Sequence, residues 1–187
     1  MRHVISALVM NEPGVLANVA GMFAARGFNI DSLVVGRTEK PELSRMTIVV
    51  NADDNTIDQI RKQLAKLVPI VSVHDFRNSA YIERDLALIT VSVGPERRGE
   101  VIEVVNLFRG KVVDVSEQSV IVELAGAEDK IEAFVELMQP YGITELARTG
   151  VIAMARGIQP ARDRSDSGPK RRARSVNAPA AAALPPS

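Results

Sequence analysis

The hydropathy order strand, helix, strand, strand, helix, strand runs along this sequence twice, and a repeat of that kind leaves few folds open. In the first copy Val4 to Met10 is an apolar run of strand length, followed by the turn cluster Asn11-Glu12-Pro13-Gly14. Leu16, Val19, Ala20 and Phe23 then fall on one helical face, and Gly27 is placed to end that helix in a left-handed turn. Phe28 to Val35 and Arg45 to Val50 read as strands joined through the polar segment Gly36 to Ser44. Asp53 and Asp54 precede a second helix with the stripe Ile57, Ile60, Leu64 and Leu67, which stops before Pro69; Ile70 to Phe76 closes the unit as a strand.

The second copy follows Arg84: strand Leu86 to Val93, helix Arg98 to Phe108, strands Lys111 to Ser116 and Ser119 to Leu124, helix Glu128 to Met138, strand Ile143 to Ala155. Arg26-Gly27 and Asp31 align with Arg109-Gly110 and Asp114 at an offset of 83, and Ile57 and Ile60 match Ile131 and Phe134 at an offset of 74. The difference falls in the hairpin, where a tight Glu117-Gln118 turn replaces Gly36 to Ser44. Right-handed crossovers make each unit an antiparallel sheet with both helices on one face. The fold class is therefore α+β: two tandem ferredoxin-like βαββαβ domains over residues 1–78 and 79–158, with a tail at 159–187. Each sheet keeps a second face that docking of the units or oligomerisation should cover, and Phe28 to Val35 is a candidate edge strand open to another chain.

The formal charge of zero conceals an asymmetry. The tail holds six basic residues, among them Lys170-Arg171-Arg172-Ala173-Arg174, against Asp163 and Asp166. It is rich in Pro, Ala and Ser with almost no bulky apolar residue before Leu184, so it reads as disordered and solubilising. The sequence has no cysteine and two histidines, which excludes thiolate chemistry and leaves little for a metal site. Nothing approaches a membrane span, and Met1-Arg2-His3 leads into the first strand without a signal pattern, so a cytoplasmic setting and no membrane partner are expected. With aromatic residues at 4% and no helix-turn-helix pattern, nucleic-acid binding is disfavoured.

No nucleophile elbow, phosphate loop or metal-protease signature occurs, and the first strand-to-helix loop lacks the arginine an acylphosphatase would need. No catalytic and no metal-binding residue is therefore assigned, with Asp53-Asp54 read as helix-capping charges and His74 as structural. The loop itself is more informative. Pro13 suits a first-turn position, Gly14 allows close approach to the backbone, and the positive end of the following helix would suit a small carboxylate. Asn11 offers a donor and an acceptor, and Asn29 a second amide expected at the same end of the sheet, so that the two could hold an ammonium. By composition alone, a plain turn with a solvated Asn29 explains these residues too.

Three segments in order carry a resemblance: Asn11-Glu12-Pro13-Gly14-Val15-Leu16, Phe23 with Arg26-Gly27-Phe28-Asn29-Ile30-Asp31-Ser32-Leu33, and Leu43-Ser44-Arg45-Met46-Thr47-Ile48. They resemble the regulatory small subunit of acetolactate synthase (acetohydroxyacid synthase). The resemblance continues through Gln63-Leu64, Glu83-Arg84-Asp85-Leu86, Phe108-Arg109-Gly110 and Arg148-Thr149-Gly150-Val151, over about residues 2 to 158. It implies an N-terminal ACT domain in a noncatalytic subunit that activates a large catalytic subunit and transmits feedback inhibition by valine, leucine or isoleucine. It also implies that thiamine diphosphate, Mg²⁺ and FAD belong to the partner. The effector would lie between ACT domains of a homodimer, with Asn11, Gly14, Val15 and Leu16 of one chain facing Asn29 and Ile30 of the other. The second unit has Gly94-Pro95-Glu96-Arg97-Arg98-Gly99 at the corresponding loop and is expected to bind no amino acid. The competing readings are a free-standing amino-acid-responsive ACT-domain regulator using the basic tail on DNA, and an enzyme without a recognisable motif.

Overall fold

The computed structural model describes residues 1–156 and Gly157; the tail, with its basic cluster, lies outside the described residues. The first unit comprises β1 (Arg2–Met10), α1 (Val15–Ala24), β2 (Ser32–Arg37), β3 (Leu43–Asn51), α2 (Asp54–Leu64) and β4 (Ile70–Asp75). The second comprises β5 (Tyr81–Ser92), α3 (Arg98–Leu107), β6 (Lys111–Val115), β7 (Ser119–Gly126), α4 (Glu128–Met138), β8 (Ile143–Arg148) and β9 (Ile152–Ala155). Strand order is β2-β3-β1-β4 in one sheet and β6-β7-β5-β8 in the other, with every pair antiparallel. Both units are the ferredoxin-like arrangement.

Alternation along the central strands builds each core. Ile5, Ala7 and Val9 of β1 and Met46, Ile48 and Val50 of β3 face α1 and α2, where Val19, Phe23, Ile57, Ile60 and Leu64 close the cluster. Ala87, Ile89 and Val91 with Val120, Val122 and Leu124 do the same beneath Val101, Val105, Ile131, Phe134 and Met138. Asp53 caps α2 by accepting from the Thr56 N–H at 2.7 Å, as its position before the apolar stripe implied. Arg77 fastens the end of β4 to that helix through Asp58 and Asp75, each at 2.6 Å, and Asp54 at 3.3 Å. The bond to Asp58, foremost, raises the Arg77 pKa above its ordinary value.

Five sequence expectations need correction. The core face of α1 is Val15, Val19, Met22 and Phe23, with Leu16 and Ala20 exposed, so the expected stripe of Leu16, Val19, Ala20 and Phe23 is rotated by part of a turn. The strand expected from Phe28 starts at Ser32, because Phe28 donates its N–H to Phe23 O in the helix-ending turn and packs with Ile30 against the core. The strand expected over Leu86 to Val93 begins at Tyr81, since its first four residues pair with β9. The strand expected over Ile143 to Ala155 is two strands, broken at Gly150, whose φ is +83°.

The fifth concerns the repeat register, which is 82 in the first half. The N–H groups of Phe28 and Gly110 make equivalent bonds to Phe23 O and Val105 O. The β-bulges at Leu8/Val9 and Thr90/Val91 correspond at the same offset. Gly27 is thus the counterpart of Arg109, and the pairing of Asp31 with Asp114 does not hold: Asp31 precedes β2 and Asp114 lies within β6. The offset of 74 between α2 and α4 holds along both helices.

The face of the first sheet that the helices leave open is covered in part. Val4, Val49 and Phe76 form a third buried cluster with Val151 and Ala153, which reach back from the second unit.

Candidate functional site

The loop between β1 and α1 is a worked structure. Asn11 accepts nothing from the helix; it staples the loop to the β2–β3 connection. Its Nδ2 donates to Pro41 O at 3.0 Å, its Oδ1 accepts from Ser44 Oγ at 3.2 Å, and its backbone N–H donates to Glu42 O at 2.8 Å. Gly14 caps α1 at φ +83° with no side chain to satisfy the first-turn N–H groups and open space around it. The Val15 side chain is committed to the core, so this residue can offer only its backbone, while Leu16 is 47% exposed beside it. The Val15 N–H reaches Glu12 O only at 3.5 Å, so the first turn of α1 presents weakly engaged amides and an aliphatic side chain to the outside, where its dipole favours an anion.

Asn29 and Ile30 are not at this end of the sheet. Met10 pairs with Leu43, whereas Ser32 pairs with Val49 and Asp31 donates to Val49 O. The run along β3 from Leu43 to Val49 separates the two ends by roughly 20 Å at strand rise. The expectation that Asn11 and Asn29 share an end within one chain is wrong, because α1 carries the chain back down the sheet before β2 begins. Asn29 is exposed, and its Nδ2 is held by Asp31 Oδ1 at 2.9 Å, which leaves its Oδ1 as a free acceptor. Ile30 is half-buried against the core.

The corresponding loop of the second unit is filled from within. Val93 stands where Asn11 does, and Arg98 where Leu16 does. Arg98 Nη2 donates to Ser116 O at 2.6 Å and Glu117 O at 2.9 Å, so a guanidinium makes the loop-to-hairpin staple that Asn11 makes in the first unit. Arg97 lies 4.5 Å over the Tyr141 ring and 3.3 Å from Glu100.

A second constellation, spread over both units, was not foreseen as one. Asp85, with a side-chain exposure of 0%, receives Arg148 Nε at 2.7 Å, Thr149 Oγ1 at 3.2 Å and Gly150 N at 3.1 Å. Arg148 continues to Glu132 and Glu128, and Arg2 of β1 joins Glu128 and Glu83. Burial penalises the Arg148 cation, but its bonds with Asp85 and Glu132 outweigh that and hold its pKa above the ordinary value. Gly150 has φ +83°, which favours glycine, and a Cβ there would lie 2.5 Å from Ser32 Oγ and 2.9 Å from Val34 Cγ2, pushing those β2 side chains aside. Among the described residues, no group of three or more His, Cys, Asp or Glu is placed to hold a metal ion, and no helix is long and apolar enough to cross a membrane.

Comparison with known proteins decides the family. Residues 5–72 match the model of the AHAS small subunit-like ACT domain and residues 84–157 that of the small subunit of acetolactate synthase. The chain belongs to the acetolactate synthase small-subunit family. A relative from Archaeoglobus fulgidus, named a probable acetolactate synthase small subunit, is 55% identical over 157 residues, 84% of this chain and 98% of its own. The acetolactate synthase small subunit of Mycolicibacterium smegmatis is 48% identical over 83% of this chain and 91% of its own. The crystal structure of the Thermotoga maritima small subunit superposes with a TM-score of 0.77 at 45% identity, over 85% of this chain and 99% of that one. The first unit is thus a small-subunit ACT domain. Two small-subunit motifs, Glu83-Arg84-Asp85-Leu86 and Arg148-Thr149-Gly150-Val151, meet at the joint around Asp85. Their spacing of more than sixty residues along the chain carried no signal that they pair.

Proposed function

We propose that this chain is the noncatalytic regulatory subunit of acetolactate synthase, activating a large catalytic chain and conferring feedback inhibition by a branched-chain amino acid such as valine. Thiamine diphosphate, Mg²⁺ and FAD are assigned to that partner. The effector's carboxylate meets the amides of Gly14, Val15 and Leu16; its ammonium meets Asn11 Oδ1 and the carbonyl of Asn29 from a second copy; its side chain meets Leu16 and Ile30.

The observation that carries this reading is the separation of the two half-sites. Loop and Asn29 lie at opposite ends of one sheet, so an antiparallel two-fold pairing of ACT domains brings the top of one against the bottom of the other and completes two sites at once. The features needed for such pairing lie on one side. β2 is an edge strand in unbroken register, and α1, which the right-handed crossover lays over that side, contains no charged residue. Regulation follows from differential affinity. A ligand bridging two copies favours one arrangement of the ACT pair, and β2, which touches Gly150 and Val151, passes that preference to the second unit.

Titration calorimetry with valine, leucine and isoleucine, alongside acetolactate formation by the reconstituted enzyme, tests the reading. Gly14→Asp puts a carboxylate where the effector's carboxylate sits and should abolish inhibition while activation persists. Gly14→Asn carries the same φ strain without the charge and should retain more inhibition. Normal inhibition of the Asp variant would refute the site.

A further inference from the structure

Arg109 is the one non-glycine residue with positive φ among the described residues, at 54°. It ends α3 by the same turn that Gly27 makes after α1, where φ is +66°. An L-residue is disfavoured there relative to glycine. The glycine beside it serves another need, since a Cβ on Gly110 would meet Glu123 O and Val105 Cγ1 at 3.2 Å. The turn alone would be better served by glycine at 109, and the arginine gives nothing back to the fold: its guanidinium has no hydrogen bond or ion pair with any described residue. Strain retained without local compensation points to a use outside the chain.

The surroundings indicate what that use is. Arg109, Lys130, Leu107 and Phe108 line an open depression of about 570 Å³. Leu107 is 78% exposed on a short helix, and the floor is held by Phe108 stacked edge-on against Phe134 at 5.4 Å. Lys130 is steadied by its bond to Ala125 O at 2.9 Å. Two cations stand beside an apolar floor with no carboxylate in the lining. A two-fold contact of this corner with its own copy would oppose like charges, so the occupant must be a different, acidic surface.

The geometry points to the Leu107–Arg109 corner with Lys130 as a docking site for the large catalytic subunit, taking an acidic segment that carries an apolar side chain. This rests on the regulatory-subunit reading above. The corner shares α4 with the joint: Lys130 lies two residues from both Glu128 and Glu132, which bind Arg148, and so faces the other side of that helix. A partner seated here lies across α4 from the network linking it to the ACT domain.

The test is association of the full chain with its purified large subunit, measured at low and high salt, together with thermal unfolding and sedimentation of the small subunit alone. Arg109→Gly should raise Tm, because it relieves the left-handed arginine, yet weaken association about tenfold or more and flatten its salt dependence. Arg109→Glu should weaken association further. Unchanged affinity in both variants overturns the proposal, as does a fall in Tm for Arg109→Gly, which would give the arginine a folding role. A change in self-association would make the occupant a second copy and also overturn it. If the wild-type chain itself fails to bind the large subunit, the regulatory reading falls and this site with it; wild-type binding with indifferent variants removes this site alone.

Discussion

The two units share a fold and a helix register but have divergent edges and loops, and the differences show which features serve the fold and which serve partners. The first unit ends in β2, a six-residue edge in continuous register; the second ends in β6, five residues long and interrupted by a bulge between Val112 and Asp114. The bulge and flanking charges protect β6 from pairing, whereas β2 remains a template. α1 is uncharged, while α3 carries Arg98, Glu100 and Glu103. The loop stapled by Asn11 leaves helix amides open; the loop stapled by Arg98 fills the same space. The two cores match while the surfaces differ: the first unit has an unbroken edge strand beside an uncharged helix, the second a basic corner at Arg109 and Lys130.

The largest effect expected is at the joint that makes the units one body. Asp85→Ala leaves Arg148, Thr149 Oγ1 and the Gly150 N–H without their buried acceptor and should cost about 3–5 kcal/mol in urea unfolding. A loss under 1 kcal/mol would mean that the units are held by the Val4–Phe76–Val151 cluster and the Arg2 ion pairs, with little from Asp85.

Next is the contrast between edges. Val35 and Val113 are 43% and 50% exposed on the two edge strands. Val35→Lys should weaken self-association about tenfold or more by sedimentation, and Val113→Lys should leave it unchanged. Equal effects would erase the distinction between β2 and β6.

The helix-ending turns give a smaller one. Gly27→Ala forces a Cβ into a left-handed turn with nothing in its way, so its cost of about 1 kcal/mol is backbone strain alone. Stability equal to wild type would show that the first unit's turn is adaptable, and would weaken the meaning of the arginine in the second.

The smallest contrast is at the second helices, since α2 is capped by Asp53 and α4 starts at Ala127 with no side-chain cap. Ala127→Asp should stabilise the chain by about 0.5–1 kcal/mol at neutral pH. The Thr56 N–H holds the Asp53 carboxyl below its ordinary value, so that cap contributes above the usual carboxylate range and is lost as pH falls through the depressed value. The gain from Ala127→Asp should vanish on the same acid limb. A gain that persists at pH 2 would assign it to something other than a charged cap.

Local rules made much of this molecule legible from the chain. Period-two and helical spacing predicted the elements to within a few residues, the Asp53 cap followed from its place before an apolar stripe, and the Asn11–Gly14 loop stood out by residue type. These are properties of neighbours in sequence, and neighbours act on each other whatever the rest of the chain does. Register and through-space pairing belonged to the tertiary structure. The crossover of α1 puts Asn29 about 20 Å from Asn11, so the two cannot hold one small ligand within a single chain. The split of the last strand at Gly150 depends on Asp85, a buried acceptor from the far end of the unit, and on β2 lying too close for a Cβ. The alignment that set Gly27 against Gly110 matched residue names, whereas the hydrogen bonds of the turn match Gly27 to Arg109, because backbone geometry is set by which amide reaches which carbonyl and not by which residue looks alike.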